Sequence, residues 1–185
     1  VDLGGEYNVH EAAFSPDGTK ILFKSVAFMG RVESIHVKDL EAGTVTQVAS
    51  YAFDASYSPD GSKILFASWE DFGDGANGYS QLYVKDVASG TVSLVSTSAA
   101  GVTGLGESRK PVFSPDGTKV LFESEAGNLV AGDTNGRVDL FVKDLLTGAI
   151  TRVSTSATGA QANGYTVSSA VFTPDGTKVL FASNS

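Results

Sequence analysis

The sequence predicts an all-β fold made of repeated four-stranded antiparallel units, and three observations carry that prediction. A ten-residue block occurs four times: FSPDGTKILF from Phe14 to Phe23, YSPDGSKILF from Tyr57 to Phe66, FSPDGTKVLF from Phe113 to Phe122, and FTPDGTKVLF from Phe172 to Phe181. A second segment, Ile35-His36-Val37-Lys38-Asp39, is echoed by Leu82-Tyr83-Val84-Lys85-Asp86 and Leu140-Phe141-Val142-Lys143-Asp144. No stretch longer than a turn shows helical periodicity. Blocks whose prolines (Pro16, Pro59, Pro115, Pro174) are 43, 56 and 59 residues apart mark a repeat architecture. Four short strands in a repeat of roughly 40–60 residues suit the blade of a β-propeller better than a sandwich. The expected chain is one propeller segment: three full blades, about 8–50, 51–98 and 99–155, then a two-stranded half blade, 156–185.

Each block reads as a hairpin between strands A and B. Proline presets φ at the first turn position, Asp suits the second and Gly supplies the left-handed residue. The turn residues are therefore Pro16-Asp17-Gly18, Pro59-Asp60-Gly61, Pro115-Asp116-Gly117 and Pro174-Asp175-Gly176. Residues before the first block align with those before the fourth, Tyr7 falling where Tyr165 falls. Strand B (Ile21-Leu22-Phe23 and its copies) is apolar on both faces, as a strand sandwiched between neighbouring blades requires. Strand C is the Val-Lys-Asp segment, alternating apolar and polar residues. A Gly turn (Gly43, Gly90, Gly148) then leads to a β-branched strand D, Thr44–Val48, Thr91–Val95 and Ala149–Val153. Strand A to B spans nine residues in all four copies and C to D thirteen in all three, so length variation falls in the loops.

Composition bounds the function. Hydrophobic residues make up 42% and aromatics 10%, enough for a packed core, and the net charge of −8 disfavours nucleic acid or an anionic membrane as partner. Four of the five prolines sit in the repeated turn, so the 21 glycines indicate turns and not low complexity. No run of about 18 apolar residues would insert in a membrane. With no cysteine, disulfides, thiolate metal sites and a Cys nucleophile are excluded, and the lean is toward an extracytoplasmic protein.

The Ser-Pro-Asp-Gly-Thr-Lys-Ile-Leu-Phe block followed by a Val-Lys-Asp strand resembles the WD-like propeller repeat of the TolB type. The resemblance covers essentially the whole chain. Gly-Asp-Thr-Asn-Gly before Asp139, and Gly159-Ala160-Gln161-Ala162-Asn163-Gly164 after strand D, are similar to segments of large secreted multi-repeat bacterial proteins of that group. It implies a periplasmic or extracellular scaffold for protein interaction and fixes no ligand. Thr173 in place of the turn Ser, and a first blade without the Asp-Thr-Asn-Gly loop, depart from the pattern.

Few residues suggest chemistry. Asp133, Asn135 and Asp139, around the Gly132–Gly136 turn, place oxygens that can converge on calcium, although the later ligands of an EF-hand are missing. The plainer reading is an Asn-Gly turn with an Asx cap. Asp71, Asp74 and Asn77 form a thinner version, and Glu70 adds to an acidic loop. No other cofactor is expected. The repeated Asp17, Asp60, Asp116 and Asp175 point to turn geometry, since a catalytic residue is needed once. Lys20, Lys63, Lys119 and Lys178 read as exposed positions after the turn, and the Lys-Asp pairs of strand C as cross-strand or blade-edge partners. His10 and His36 are the only histidines. The serines lie in Ser96-Thr97-Ser98 and Ser154-Thr155-Ser156, with no Gly-x-Ser-x-Gly elbow. Trp69, Phe72 and Tyr79 form either an interaction surface or packing between blades.

The expected function is a noncatalytic scaffold, not an enzyme. The alternatives are an accessory propeller of a larger hydrolase, or an excised or engineered repeat array that self-assembles. Self-association is expected at both ends, where strand B of the half blade lacks C and D and the first blade has no predecessor to cover its outer face.

Overall fold

A computed structural model describes residues 8–26, 32–73, 78–156, 158–162 and 166–183. Among the described residues the regular elements are all strands, in three four-stranded antiparallel sheets and one two-stranded sheet. The first sheet orders β1 (Asn8–Phe14), β2 (Lys20–Val26), β3 (Glu33–Asp39) and β4 (Val45–Ser50) side by side. The second holds β5 (Ala52–Tyr57), β6 (Lys63–Ser68), β7 (Gln81–Asp86) and β8 (Val92–Leu94). The third holds β9 (Ser108–Phe113), β10 (Lys119–Ser124), β11 (Asp139–Asp144) and β12 (Ile150–Arg152), and β13 (Thr166–Phe172) pairs with β14 (Val179–Ser183). Strand C always pairs inside its own sheet, with Phe23↔His36, Phe66↔Tyr83 and Phe122↔Phe141 in register. The fourth strands of the second and third blades are shorter than expected, because Val95 and Val153 already turn into the Ser-Thr loops.

The hairpin turn has the same bonds in every copy. In the first, Ser15 Oγ donates to Asp17 Oδ1 (2.6 Å), Thr19 N–H donates to the same oxygen (3.0 Å), and Lys20 N–H donates to Ser15 Oγ (2.9 Å). Thr173 does the work of that serine in the fourth copy, donating to Asp175 Oδ1 at 2.5 Å. These donors hold the carboxyls of Asp17, Asp60 and Asp116 down at about 2, the hydroxyl at Ser15, Ser58 or Ser114 contributing most. The turn glycines have a second duty between blades. A Cβ on Gly61 would sit 3.3 Å from Pro16 Cδ, one on Gly117 3.4 Å from Pro59 Cδ, and one on Gly176 3.4 Å from Pro115 Cδ. Successive turns thus stack, each glycine on the proline of the blade before.

Strand B does face two blades. Ile64 and Phe66 pack with Leu22, Ile35, Val48 and Tyr83 between the first and second blades. Leu65, on the other face, joins Leu82, Val84, Val95, Val120, Phe122 and Phe141 between the second and third. Paired aromatic rings of strands B and C stack at 5.2 Å (Phe23–His36), 5.8 Å (Phe66–Tyr83) and 5.7 Å (Phe122–Phe141). On the first blade Ile21 and Phe23 are 6% and 1% exposed while Phe14 is 63% exposed, and Leu180 on β14 is 69% exposed.

Every first strand carries a β-bulge. At two of these bulges Asp54 and Lys110 take left-handed φ of 53° and 50°, and Lys110 N–H donates to Asp54 Oδ2 (3.0 Å) between the second and third blades.

Candidate functional site

The predicted Lys-Asp pairs divide into two roles. Asp39 accepts Lys20 Nζ at 2.5 Å, the cross-strand pair expected, and its other oxygen receives the N–H groups of Glu41 and Ala42. Asp86 and Asp144 likewise cap the turns that follow them. The strand C lysines of the second and third blades do something else: they cross into the preceding blade. Lys85 Nζ donates to the Val48 carbonyl (3.3 Å). Lys143 Nζ, buried, donates to the Thr97 carbonyl (3.0 Å), Thr97 Oγ1 (2.9 Å) and the Ser98 carbonyl (3.1 Å). Burial lowers the pKa of Lys143, and the oxygen triad compensates its charge.

At the loop end of the third blade, the structure gathers Asp133, Asn135 and Asp139 around Gln161. Gln161 Nε2 donates to Asp133 Oδ1 (2.8 Å) and to Asp139 Oδ2 (3.4 Å), while Asn135 Nδ2 donates to Asp139 Oδ2 (3.1 Å) and to the Ala162 carbonyl (2.8 Å). Asn135 Oδ1 receives Arg137 N–H (2.9 Å), the Asx cap of the plainer reading. Ser154 Oγ donates to Asp139 Oδ1 at 2.5 Å. Arg152, absent from the predicted set, places Nη1 3.5 Å from Asp133 Oδ1, with both side chains nearly buried. Its Nε and Nη1 have no hydrogen-bond partner. Burial, then the neighbouring Asp139, raise the Asp133 pKa against the opposing pull of Arg152.

The cluster ties the β10–β11 loop to the loop after β12. The second blade makes the same tie with neutral groups: Gln81 in the place of Asp139 donates to the Gly104 carbonyl (3.1 Å) and accepts Ser96 Oγ (2.6 Å). A calcium ion at Asp133, Asn135 and Asp139 would have to displace the Asn135 and Gln161 donors and share the space with the Arg152 cation. Among the described residues no three His, Asp or Glu side chains converge as metal ligands. Gln161 was visible in sequence as part of its Gly-rich segment, but Arg152 carried no signal beyond the strand that holds it. In the thinner version, Asp71 accepts Gly73 N–H (2.8 Å), while Asp74 and Asn77 lie outside the described residues.

The aromatic trio separates. Phe72 packs edge-on against Phe66 (5.9 Å) and Tyr83 (4.7 Å), as interior packing. Trp69 leans on Phe53 (4.8 Å) yet is 50% exposed, and its main-chain N–H donates to the carbonyl of Tyr51 (3.2 Å). Tyr51 is itself 52% exposed and has φ of 47°, an outlier for an aromatic residue. Tyr79 is 42% exposed. His36 is buried against Phe23, with burial lowering its pKa, and His10 is exposed on β1.

No family model matches the chain, and no curated protein matches it. Solved structures do. TolB from Acinetobacter baumannii superposes with a TM-score of 0.56 at 24% identity, over 95% of this chain and 37% of its own. A provisionally assigned TolB from Agrobacterium tumefaciens gives 0.65 at 20% identity, over 99% and 57%. The β-propeller domain of the Trilobed protease from Pyrococcus furiosus, described as having an open velcro topology, gives 0.55 at 14% identity, over 78% and 41%. This chain spans well under two thirds of the length of each. Among the described residues no helix is long and apolar enough to cross a membrane. By fold, the chain consists of β-propeller blades of the TolB type.

Proposed function

We propose that this chain is a noncatalytic propeller scaffold that binds another protein through the exposed aromatic pair of the second blade. The observation that carries the reading is the Tyr51–Trp69 pair. Two large aromatics, each about half exposed, stand at positions joined by a main-chain hydrogen bond at one end of a sheet, one of them held in a strained backbone conformation. Tyr and Trp concentrate binding energy at interfaces, and strain of this kind persists where function selects it. The noncatalytic reading is supported by the side chains themselves: His36 is stacked on Phe23, and the repeated Ser-Thr loops are engaged in structural hydrogen bonds. A periplasmic or extracellular location accords with the TolB-type fold and the lack of cysteine.

A photoreactive side chain at Tyr51 should capture a defined protein from native extract. The same group at Leu146, 81% exposed on another turn, should not, and Trp69→Ala should abolish capture. Equal capture from both positions, or capture indifferent to Trp69→Ala, overturns the reading. The rival, an accessory propeller of a larger hydrolase, draws on the likeness to a protease propeller, which is one of fold. A full-length gene product with peptidase activity would replace the scaffold reading. Self-association through the β14 edge is part of the proposal, and concentration-dependent sedimentation tests it.

A further inference from the structure

The strand C lysine lines a groove at two blade junctions, and its surroundings differ between them. Between the second and third blades, residues 95–107 link β8 to β9. That loop supplies Lys143 Nζ with the Thr97 and Ser98 carbonyls and the Thr97 hydroxyl. Between the first and second blades, Tyr51 alone links β4 to β5, so no such loop stands over Lys85. Among the described residues Lys85 Nζ donates once, to the Val48 carbonyl at 3.3 Å. An ammonium group carries three donors, so most of its bonding capacity at Lys85 is not met by protein.

The groove at Lys85 measures about 220 Å³. That is below the range of about 300–1,000 Å³ typical of drug-sized ligands and suits a body of a few carbons. Val37, Val48, Ile64 and Val87 give it an apolar wall, with Thr46 and Gln47 as polar neighbours. Asp39 is the one carboxylate in the lining, and its oxygens are engaged by Lys20 Nζ and by the N–H groups of Glu41 and Ala42. Lys20 and Lys85 therefore set two cations against one committed anion, in a chain whose net charge is −8.

We infer that this groove binds a carboxylate on a short aliphatic body, either a free acid or the glutamate side chain of a peptide. The carboxylate oxygens accept from Lys85 Nζ, as the Thr97 and Ser98 oxygens do from Lys143. The hydrocarbon part lies against Val37, Val48 and Ile64. A charged acceptor is favoured over a neutral one, because hydrogen bonds between ionised partners are roughly twice as strong. The third blade shows what an ammonium at this position takes when a loop can reach it, and the short link at Tyr51 leaves that role to a ligand.

The probes are 3-methylbutanoate and N-acetylglutamate amide, each titrated onto the full 185-residue chain and followed by NMR at the lysine side chains and backbone amides. Saturable shifts in the millimolar range are expected at Lys85, Val37 and Val48, and none at Lys143, whose donors are occupied. The tighter of the two probes identifies the source as free acid or side chain. The neutral analogue 3-methylbutanamide should bind at least about tenfold more weakly than the acid. Lys85→Met, checked for an unchanged circular dichroism spectrum, should remove the saturable shifts at Val37 and Val48. Equal binding of acid and amide, equal shifts at Lys85 and Lys143, shifts that survive Lys85→Met, or no saturation by either probe at ~100 mM overturns the inference. Neither Tyr51 nor Trp69 lines the groove, so this proposal and capture through Tyr51 fail separately.

Discussion

Leu121 and Leu180 stand at the same place in the same eight residues, PDGTKVLF, yet one is 1% exposed and the other 69%. Both hairpins close with the same turn bonds, and in both the strand pairs with its A partner through a bulge. The difference is what lies against the second strand. β10 has β11 beside it, whereas β14 has β13 alone. Hairpin formation is therefore a property of the block, and burial is a property of the neighbour. Fully burying a leucine contributes about 1.5–3 kcal/mol, so identical residues make unequal contributions.

The comparison breaks first at those leucines. Leu121→Ala should cost about 3 kcal/mol of unfolding free energy and Leu180→Ala less than about 0.5 kcal/mol, measured by urea denaturation. Similar losses at both sites would mean that the β14 face is covered in solution. Between the closed junctions the next effect is smaller. Lys143→Met strands three oxygens and should cost about 2 kcal/mol, whereas Lys85→Met, which loses one longer bond, should cost about 1 kcal/mol or less. Equal costs would show that the triad adds nothing to packing of the lysine stem.

The turns should not distinguish the two regions. Asp116 and Asp175 both have pKa values lowered first by the hydroxyl two residues earlier, so NMR titration should place both below the ordinary carboxylate range. With folded values depressed, their contribution is complete above the unfolded value near 3.8 and is lost as pH falls from there toward about 2 for Asp116. A normal value at Asp175 alone would show that the half blade's turn is not formed. The smallest effect expected is that of calcium. Since Arg152 and the Gln161 and Asn135 amides occupy the oxygens of Asp133 and Asp139, millimolar calcium should leave the melting temperature unchanged. A rise that Asp133→Ala abolishes would establish the metal site instead.

Much of the architecture was legible because it rests on contacts a few residues apart. Proline at 16 presets φ, glycine at 18 accepts 72°, and the hydroxyl, carboxylate and amides that close the turn lie within six residues. The twofold apolar strand B and the Gly turns after strand C were readable for the same reason. The candidate site was only partly legible. Asp133, Asn135 and Asp139 do come together, but the groups that engage them, Arg152, Ser154 and Gln161, arrive from 15 to 28 residues away along the chain.

The sequence alone determined the hairpins, the order of four strands in a blade and the count of three blades and a half, because turn chemistry and strand alternation are local. Tertiary structure decided where Lys85 and Lys143 of Val-Lys-Asp go, which glycine meets which proline, and which one of four equivalent leucines stays exposed. Those outcomes depend on desolvation and close approach between blades, and a repeat carries no record within itself of what stands next to it.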